Sequence, residues 1–176
     1  MPRIIGAEDL GILQTWVDAS YAIHPDMRSH TGAVISLGHG VINSKSSKQK
    51  INTKSLTEAE LVGASDYISH TLWTSWFLKG QGYLVNTNLF YQDNQSAILL
   101  EKNGRNSCGD RSRHINIRYF FIKDTVDREN ITVTHCPTEQ MIADFFTKPL
   151  QGNLFRNMRD IIMGSSPYPS KECVEN

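Results

Sequence analysis

Between Thr15 and Ala22 the chain reads Thr-Trp-Val-Asp-Ala-Ser-Tyr-Ala, an apolar run of strand length with one carboxylate in its middle. Aspartate is depleted in strands and rarely buried without a partner, so Asp18 either bonds the turn at Ser20 or holds a cation. The neighbouring segments restrict the fold around this strand. After the His24-Pro25-Asp26 turn, residues 31–37 are apolar and partly β-branched, Gly38-His39-Gly40 is a tight turn, and residues 41–46 form another strand. Together they predict an antiparallel meander.

The strongest helical pattern comes next. Leu61, Ala64, Ile68, Leu72 and Trp76 recur at spacings of three and four, which predicts a helix over 58–79 ended by Gly80 and Gly82. Thr57-Glu58-Ala59-Glu60 reads as its capping box, a sufficient local explanation for Glu60. Residues 89–92 form a short strand, 95–102 a helix with Asp93 or Asn94 as its N-cap, and 103–113 a loop. A helix to Asn130, a strand over 131–136 and a helix over 140–148 closed by Pro149 complete the pattern. Asp144 then complements the dipole of that last helix. A final amphipathic helix ends at Gly164. These elements predict one α/β domain over 14–163, with a lead-in at 1–13 and a disordered tail at 164–176.

Composition removes several classes of function. In 176 residues, eighteen basic side chains balance eighteen acidic ones, so only local charge can favour nucleic acid. Two stretches carry it: Lys45, Lys48, Lys50 and Lys54 among serines, glutamine, asparagine and threonine, and Arg105, Arg111 and Arg113 in the 103–113 loop. Each is either a solvated loop or a set of phosphate contacts. Three widely spaced cysteines argue against a disulfide framework or structural zinc. No stretch is apolar enough to span a bilayer, and the start lacks a secretory pattern. The expectation is an intracellular protein without a membrane partner, in the cytoplasm (within a virus-like particle) or the nucleus.

In a mixed sheet of this order, the carboxyl end of the 89–92 strand lies beside the first strand, and the starts of two helices point over the same crevice. Asp18, Glu60, Asp93 and Asp144 then converge. Gathered carboxylates raise one another's pKa unless divalent cations sit between them, and magnesium prefers such oxygen ligands. Two ions about 3.5–4 Å apart serve phosphodiester cleavage.

Trp16-Val17-Asp18-Ala19-Ser20-Tyr21-Ala22, Thr57-Glu58-Ala59-Glu60-Leu61, Tyr91-Gln92-Asp93-Asn94-Gln95-Ser96-Ala97 and Ala143-Asp144-Phe145-Phe146-Thr147-Lys148 together resemble the ribonuclease H domain of copia-type retrotransposon polyproteins. His30-Thr31-Gly32, Arg113-His114-Ile115 and Thr147-Lys148-Pro149-Leu150 are similar too. The resemblance implies a ribonuclease H-like five-stranded mixed sheet flanked by helices. It implies hydrolysis of the RNA strand of an RNA–DNA hybrid by two magnesium or manganese ions, following reverse transcription. Matched residue by residue, Asp18, Glu60, Asp93 and Asp144 are the catalytic metal carboxylates. Glu60 is preferred to Glu58 because the family acid directly precedes Leu61, and the two glutamates lie about 200° apart on the helix, so that only one of them can face the crevice. Thr57 and Gln95 match minor-groove contacts, where 2′-hydroxyls distinguish RNA from DNA.

Cellular members place a histidine on a loop before the last acid, and none stands between His135 and Asp144; Glu139 is the alternative in that stretch. An integrase-like arrangement is disfavoured, because there the last acid is a glutamate. The remaining alternative is a non-catalytic nucleic-acid-binding remnant of a polyprotein. Hydrolysis through Cys136 and His135 is disfavoured by strand geometry, since neighbouring residues point to opposite faces. Near-zero net charge predicts weak, salt-sensitive hybrid affinity, which an upstream reverse transcriptase domain in the same polyprotein would supplement.

Overall fold

β2 (Ile12–Ser20) is the central strand of the sheet, and Leu13 and the run from Thr15 to Ala19, Asp18 included, are buried because both faces of the strand are covered. The computed structural model describes residues 3–103 and 113–168, and the side chains of 100–103 and 113–116 lie outside that description. Ahead of β2 stands a two-residue strand, β1 (Gly6–Ala7). β3 (His30–Ser36), β4 (Gly38–His39), β5 (Val41–Lys48), β6 (Thr87–Gln92) and β7 (Ile131–His135) complete the strands, and the main sheet runs β5-β3-β2-β6-β7. The meander β2-β3-β5 is antiparallel, while β6 runs parallel to both of its neighbours, β2 and β7.

Alternation along the strands sorts the core into two layers. Leu13, Val17, Ile35 and Phe90 pack under the long helix α1 (Leu56–Gly80), joined by α2 (Gln95–Asn103) and α3 (Arg113–Arg128). Trp16, Val34 and Tyr91 face the other side, against two 3₁₀ turns (Thr138–Gln140 and Ile142–Phe146) and α4 (Gly152–Ile162). The expected five-stranded mixed sheet with helices is therefore the fold.

Several expected details differ. The long helix starts two residues earlier than 58, and Trp76 is 51% exposed rather than buried with Leu61, Ala64, Ile68 and Leu72; its indole donates to Glu129 Oε2 at 3.1 Å. The buried stripe continues instead through Ser75 and Leu78, a step of three from Leu72 where the expected pattern took a step of four to Trp76. The segment expected as a helix over 140–148 is a pair of short 3₁₀ turns, too brief to hold a helical ladder. β5 runs to Lys48, so Lys45 and Lys48 lie on an edge strand, and of the four lysines only Lys50 and Lys54 follow it in a loop.

Parts of the expected lead-in and tail are packed. β1 pairs with β4, and Ile4 N–H donates to Met163 O at 2.8 Å. Tyr168 lies over Trp16, its hydroxyl accepting from Trp16 Nε1 at 3.0 Å and donating to Gln140 O at 3.1 Å. Aromatic area and a satisfied indole N–H outweigh the disorder that two prolines suggest.

Candidate active site

The ladder between β2 and β6 ends at Trp16↔Tyr91, and Asp18 and Asp93 sit two residues further along these neighbouring parallel strands. Asp93 leaves the cap of α2 to Asn94, whose Oδ1 accepts from Ala97 N at 3.1 Å. A parallel pair with the same offset thus delivers two carboxylates to one edge of the sheet.

Glu60 arrives from α1 because the cap lies elsewhere. Ser55 is the N-cap, its hydroxyl accepting from Glu58 N at 3.2 Å, and Glu58 reaches back to Lys54 N at 2.7 Å. The capping box is therefore Ser55…Glu58, not Thr57…Glu60. Glu60 is 2% exposed, and its Oε1 accepts from Ala19 N at 3.1 Å. This bond joins the first turn of α1 to the strand residue beside Asp18. One oxygen from each of Asp18, Glu60 and Asp93 lies within 4.8 Å of the others.

Asp144 approaches from the 3₁₀ turn on the opposite layer and is 4% exposed. Its Oδ1 accepts from Lys148 Nζ at 2.8 Å, and the same Nζ stands 3.6 Å from Asp18 Oδ1. Thr147 donates its hydroxyl to Asp18 Oδ2, and Ser20 Oγ donates to Thr147 O at 3.2 Å. The approach depends on Gly32, the partner of Asp18 in the β2–β3 register. A β-carbon there would stand 2.6 Å from Thr147 Cγ2 and 2.7 Å from Ala143 O.

Asp18, Glu60, Asp93 and Lys148 line an open cleft of about 530 Å³ with Tyr21, Ile23, Leu56 and Asn94. Burial, then the charge of Asp18, pushes Asp93 above the usual carboxylate range. Asp144 is pushed up to about 7 by the same two causes, against the pull of Lys148. Burial disfavours the Lys148 charge, but its hydrogen bond to Asp144 and the nearby carboxylates outweigh that and raise its pKa. The site is an excess of negative charge held in a half-dry crevice.

No protein-family model matches the chain. It is 34% identical over 152 residues, 86% of its length, to the retrovirus-related Pol polyprotein from transposon TNT 1-94 of Nicotiana tabacum. It is 34% identical over 160 residues, 90% of its length, to that from transposon RE1 of Arabidopsis thaliana. Each match takes up 11% of the relative, so the chain spans about one tenth of the length of these curated relatives. Among solved structures it is similar to LC11-RNase H1, isolated from compost, with TM-score 0.54, 14% identity, and 77% of this chain and 92% of that chain covered. The chain belongs to the ribonuclease H-fold segments of retrotransposon Pol polyproteins. A second LC11-RNase H1 structure, in complex with an RNA/DNA hybrid, has TM-score 0.50 and 13% identity, and the match covers 73% of this chain and 88% of that one.

In this ribonuclease H-fold domain three of the four predicted acids, Asp18, Glu60 and Asp93, converge, Asp144 is joined to Asp18 through Lys148, and the predicted nucleic-acid contacts divide. Thr57 is in the first turn of α1 and partly exposed, three residues before Glu60, while Gln95 opens α2 two residues after Asp93 and is exposed. Lys45 and Lys48 lie on β5, two strands and about 10 Å from β2 at normal strand spacing. Lys48 is paired to Asp26 at 3.0 Å. Arg111 lies outside the described residues, as does the side chain of Arg113. Glu139 lines a separate cleft with Ile142 and Leu154. Cys136 is fully buried with its thiol against Tyr168, while His135 is exposed. Lys148 and Thr147 belong to the site although only their motif resemblance marked them; the Asp144…Lys148 spacing of four was the usable signal.

Proposed function

We propose that this domain hydrolyses the RNA strand of RNA–DNA hybrids with two divalent cations, as a part of a longer retrotransposon polyprotein. The convergence of Asp18, Glu60 and Asp93 within 4.8 Å, with Asp144 linked to Asp18 through Lys148, carries this reading. The donor set fits magnesium or manganese: it is all carboxylate oxygen, and the raised pKa values of Asp93 and Asp144 express charge that a dication would relieve. Asp18, Glu60, Asp93 and Asp144 would hold the ions, which supply an activated water and charge neutralisation at the phosphate.

The chain's own groups do the positioning. Ala19 N–H fixes the direction of Glu60, and the Thr147 hydroxyl fixes that of Asp18. Both carboxylates are buried with these partners, so they keep one orientation before substrate arrives. Thr57 and Gln95, on the first turns of two helices beside the acids, face the substrate's 2′-hydroxyl edge, and Lys45, Lys48, Lys50, Arg111 and Arg113 contact phosphates. Upstream reverse transcriptase sequence would keep the hybrid near the cleft by effective concentration. In support, this fold occupies 21% of a foamy virus protease–reverse transcriptase, matched with TM-score 0.50 and 12% identity.

The test is substrate discrimination. Purified chain at low salt receives end-labelled RNA as hybrid, as duplex RNA and as single strand, with duplex DNA alongside. Cutting confined to RNA in the hybrid is expected; binding of the hybrid without cutting would favour a non-catalytic module.

A further inference from the structure

The four acids do not form one equivalent set. Asp18, Glu60 and Asp93 bring oxygens within 4.8 Å of each other, while Asp144 is engaged by the Lys148 ammonium at 2.8 Å. The same ammonium is 3.6 Å from Asp18 Oδ1 and so bridges the two layers of the site. Lys148 is anchored as well as attracted. Its N–H donates to Asp144 O at 2.9 Å, Pro149 follows it, and Thr147 before it donates to Asp18. The Asp18 and Asp144 side chains are 2% and 5% exposed, against 37% for Lys148, so the lysine side chain runs from solvent into the two buried carboxylates.

We propose that Lys148 is a positioning residue that competes with a divalent cation for Asp144 and Asp18, so that the nucleic-acid-free site takes up two ions with unequal affinity. The inference rests on the reading of these acids as a divalent-ion site. One position, among Asp18, Glu60 and Asp93, meets the ammonium only at its longer, 3.6 Å approach to Asp18. The other requires Asp144 and therefore the departure of Nζ, since two cations a few ångströms apart on the same oxygens repel each other. Lys148 thus keeps Asp144 drawn toward Asp18 while only one ion is bound.

The experiment is a Mn²⁺ titration of the full chain without nucleic acid, reading free ion by electron paramagnetic resonance. Lys148→Met is compared with wild type, Lys148→Arg, and Lys123→Met, which removes an exposed charge on α3. Wild type and Lys148→Arg are expected to bind one ion tightly and a second at least about tenfold more weakly, and Lys148→Met to tighten the second by about tenfold, or 1.4 kcal/mol. Lys148→Gln replaces Lys148→Met if thermal melting shows that the latter does not fold. Unchanged second-ion affinity in the neutral variants overturns the proposal and leaves the divalent-ion reading standing. An equal gain in Lys123→Met assigns the effect to net charge and also overturns it. No uptake by any variant overturns both readings.

Discussion

Gly32 lies directly opposite Asp18 across the β2–β3 ladder, and its missing side chain is what admits the 143–147 segment to the sheet. Sheet and 3₁₀ turn meet there closely enough that Asp144, from one layer, shares Lys148 with Asp18, from the other. Gly32→Ala places a methyl 2.6 Å from Thr147 Cγ2 and 2.7 Å from a backbone oxygen, which has no soft way to yield. Overpacking of this kind costs about 1–3 kcal/mol, so urea unfolding is expected to shift to lower denaturant. Divalent-ion affinity should fall with it, as Asp144 is pushed outward. Unchanged stability and affinity would show that the segment relaxes freely.

Glu58 and Glu60 separate capping from chemistry. Glu58→Gln weakens the charge-assisted bond to Lys54 N and is expected to lower stability by at most about 1 kcal/mol, with the rate intact. Glu60→Gln can still accept from Ala19 N, so stability should hold or rise, while cleavage drops about a hundredfold or more, about 3 kcal/mol of barrier. Paired melting curves and single-turnover rates check both. Reversed effects would return Glu60 to the capping role.

In the metal-free chain the Asp144 contribution to pH dependence has a definite sign, opposed in part by His30 and His70, whose pKa values burial lowers. Asp144 is pushed up to about 7 from 3.8, so the folded state holds this proton more tightly than the unfolded state does. Stability contributed by this group falls as pH rises from 3.8 toward about 7 and is level above. The raised Asp93 adds a decline of the same sign. In chelator, the melting temperature should be lower at pH 8 than at pH 5. Asp144→Asn should flatten that difference, and Mg²⁺ should restore wild type at pH 8. A wild-type melting temperature that instead rises from pH 5 to pH 8 in chelator would show that these carboxylates are not strained by one another.

Tyr168 closes the face of the sheet opposite α1. Tyr168→Ala removes a partly buried ring packed on Trp16 at 4.8 Å and is expected to cost about 3 kcal/mol, the low end of the range for buried aromatic truncations. Tyr168→Phe keeps the ring but deprives the buried Trp16 N–H of its acceptor, a smaller loss of about 1–3 kcal/mol. Tryptophan emission should report both, shifting to the red in the alanine variant.

The sheet, its strand order around Asp18 and the approach of Asp93 and Glu60 to Asp18 were legible because they depend on alternation and on an out-of-place carboxylate in an apolar strand. The start of α1 was not. Ser55-Leu56-Thr57-Glu58 and Thr57-Glu58-Ala59-Glu60 carry the same capping signature, and only the pull of Ala19 N on Glu60 from a distant strand chooses between them. The 3₁₀ geometry around Asp144 was hidden for a similar reason. Ile142, Phe145 and Phe146, spaced by three and four, fit a helical stripe equally well, and the burial of Met141, Ile142 and Ala143 against Trp16 and Val34 is a tertiary fact. Tyr168, beyond the last helical periodicity but one hydrogen bond from Trp16, has no local signal at all. Lys148 stood in a motif whose role only its 2.8 Å and 3.6 Å contacts reveal.

Whether the converging carboxylates cut RNA in a hybrid with divalent ions can be read from single-turnover cleavage of an end-labelled RNA–DNA hybrid. Wild type and Asp93→Asn are compared in Mg²⁺, in Mn²⁺ and in chelator. Wild type should cut the RNA strand only with metal, and Asp93→Asn should lose cutting with its fold intact. Cutting that persists in chelator, or survives Asp93→Asn undiminished, would rule out the carboxylate–metal mechanism.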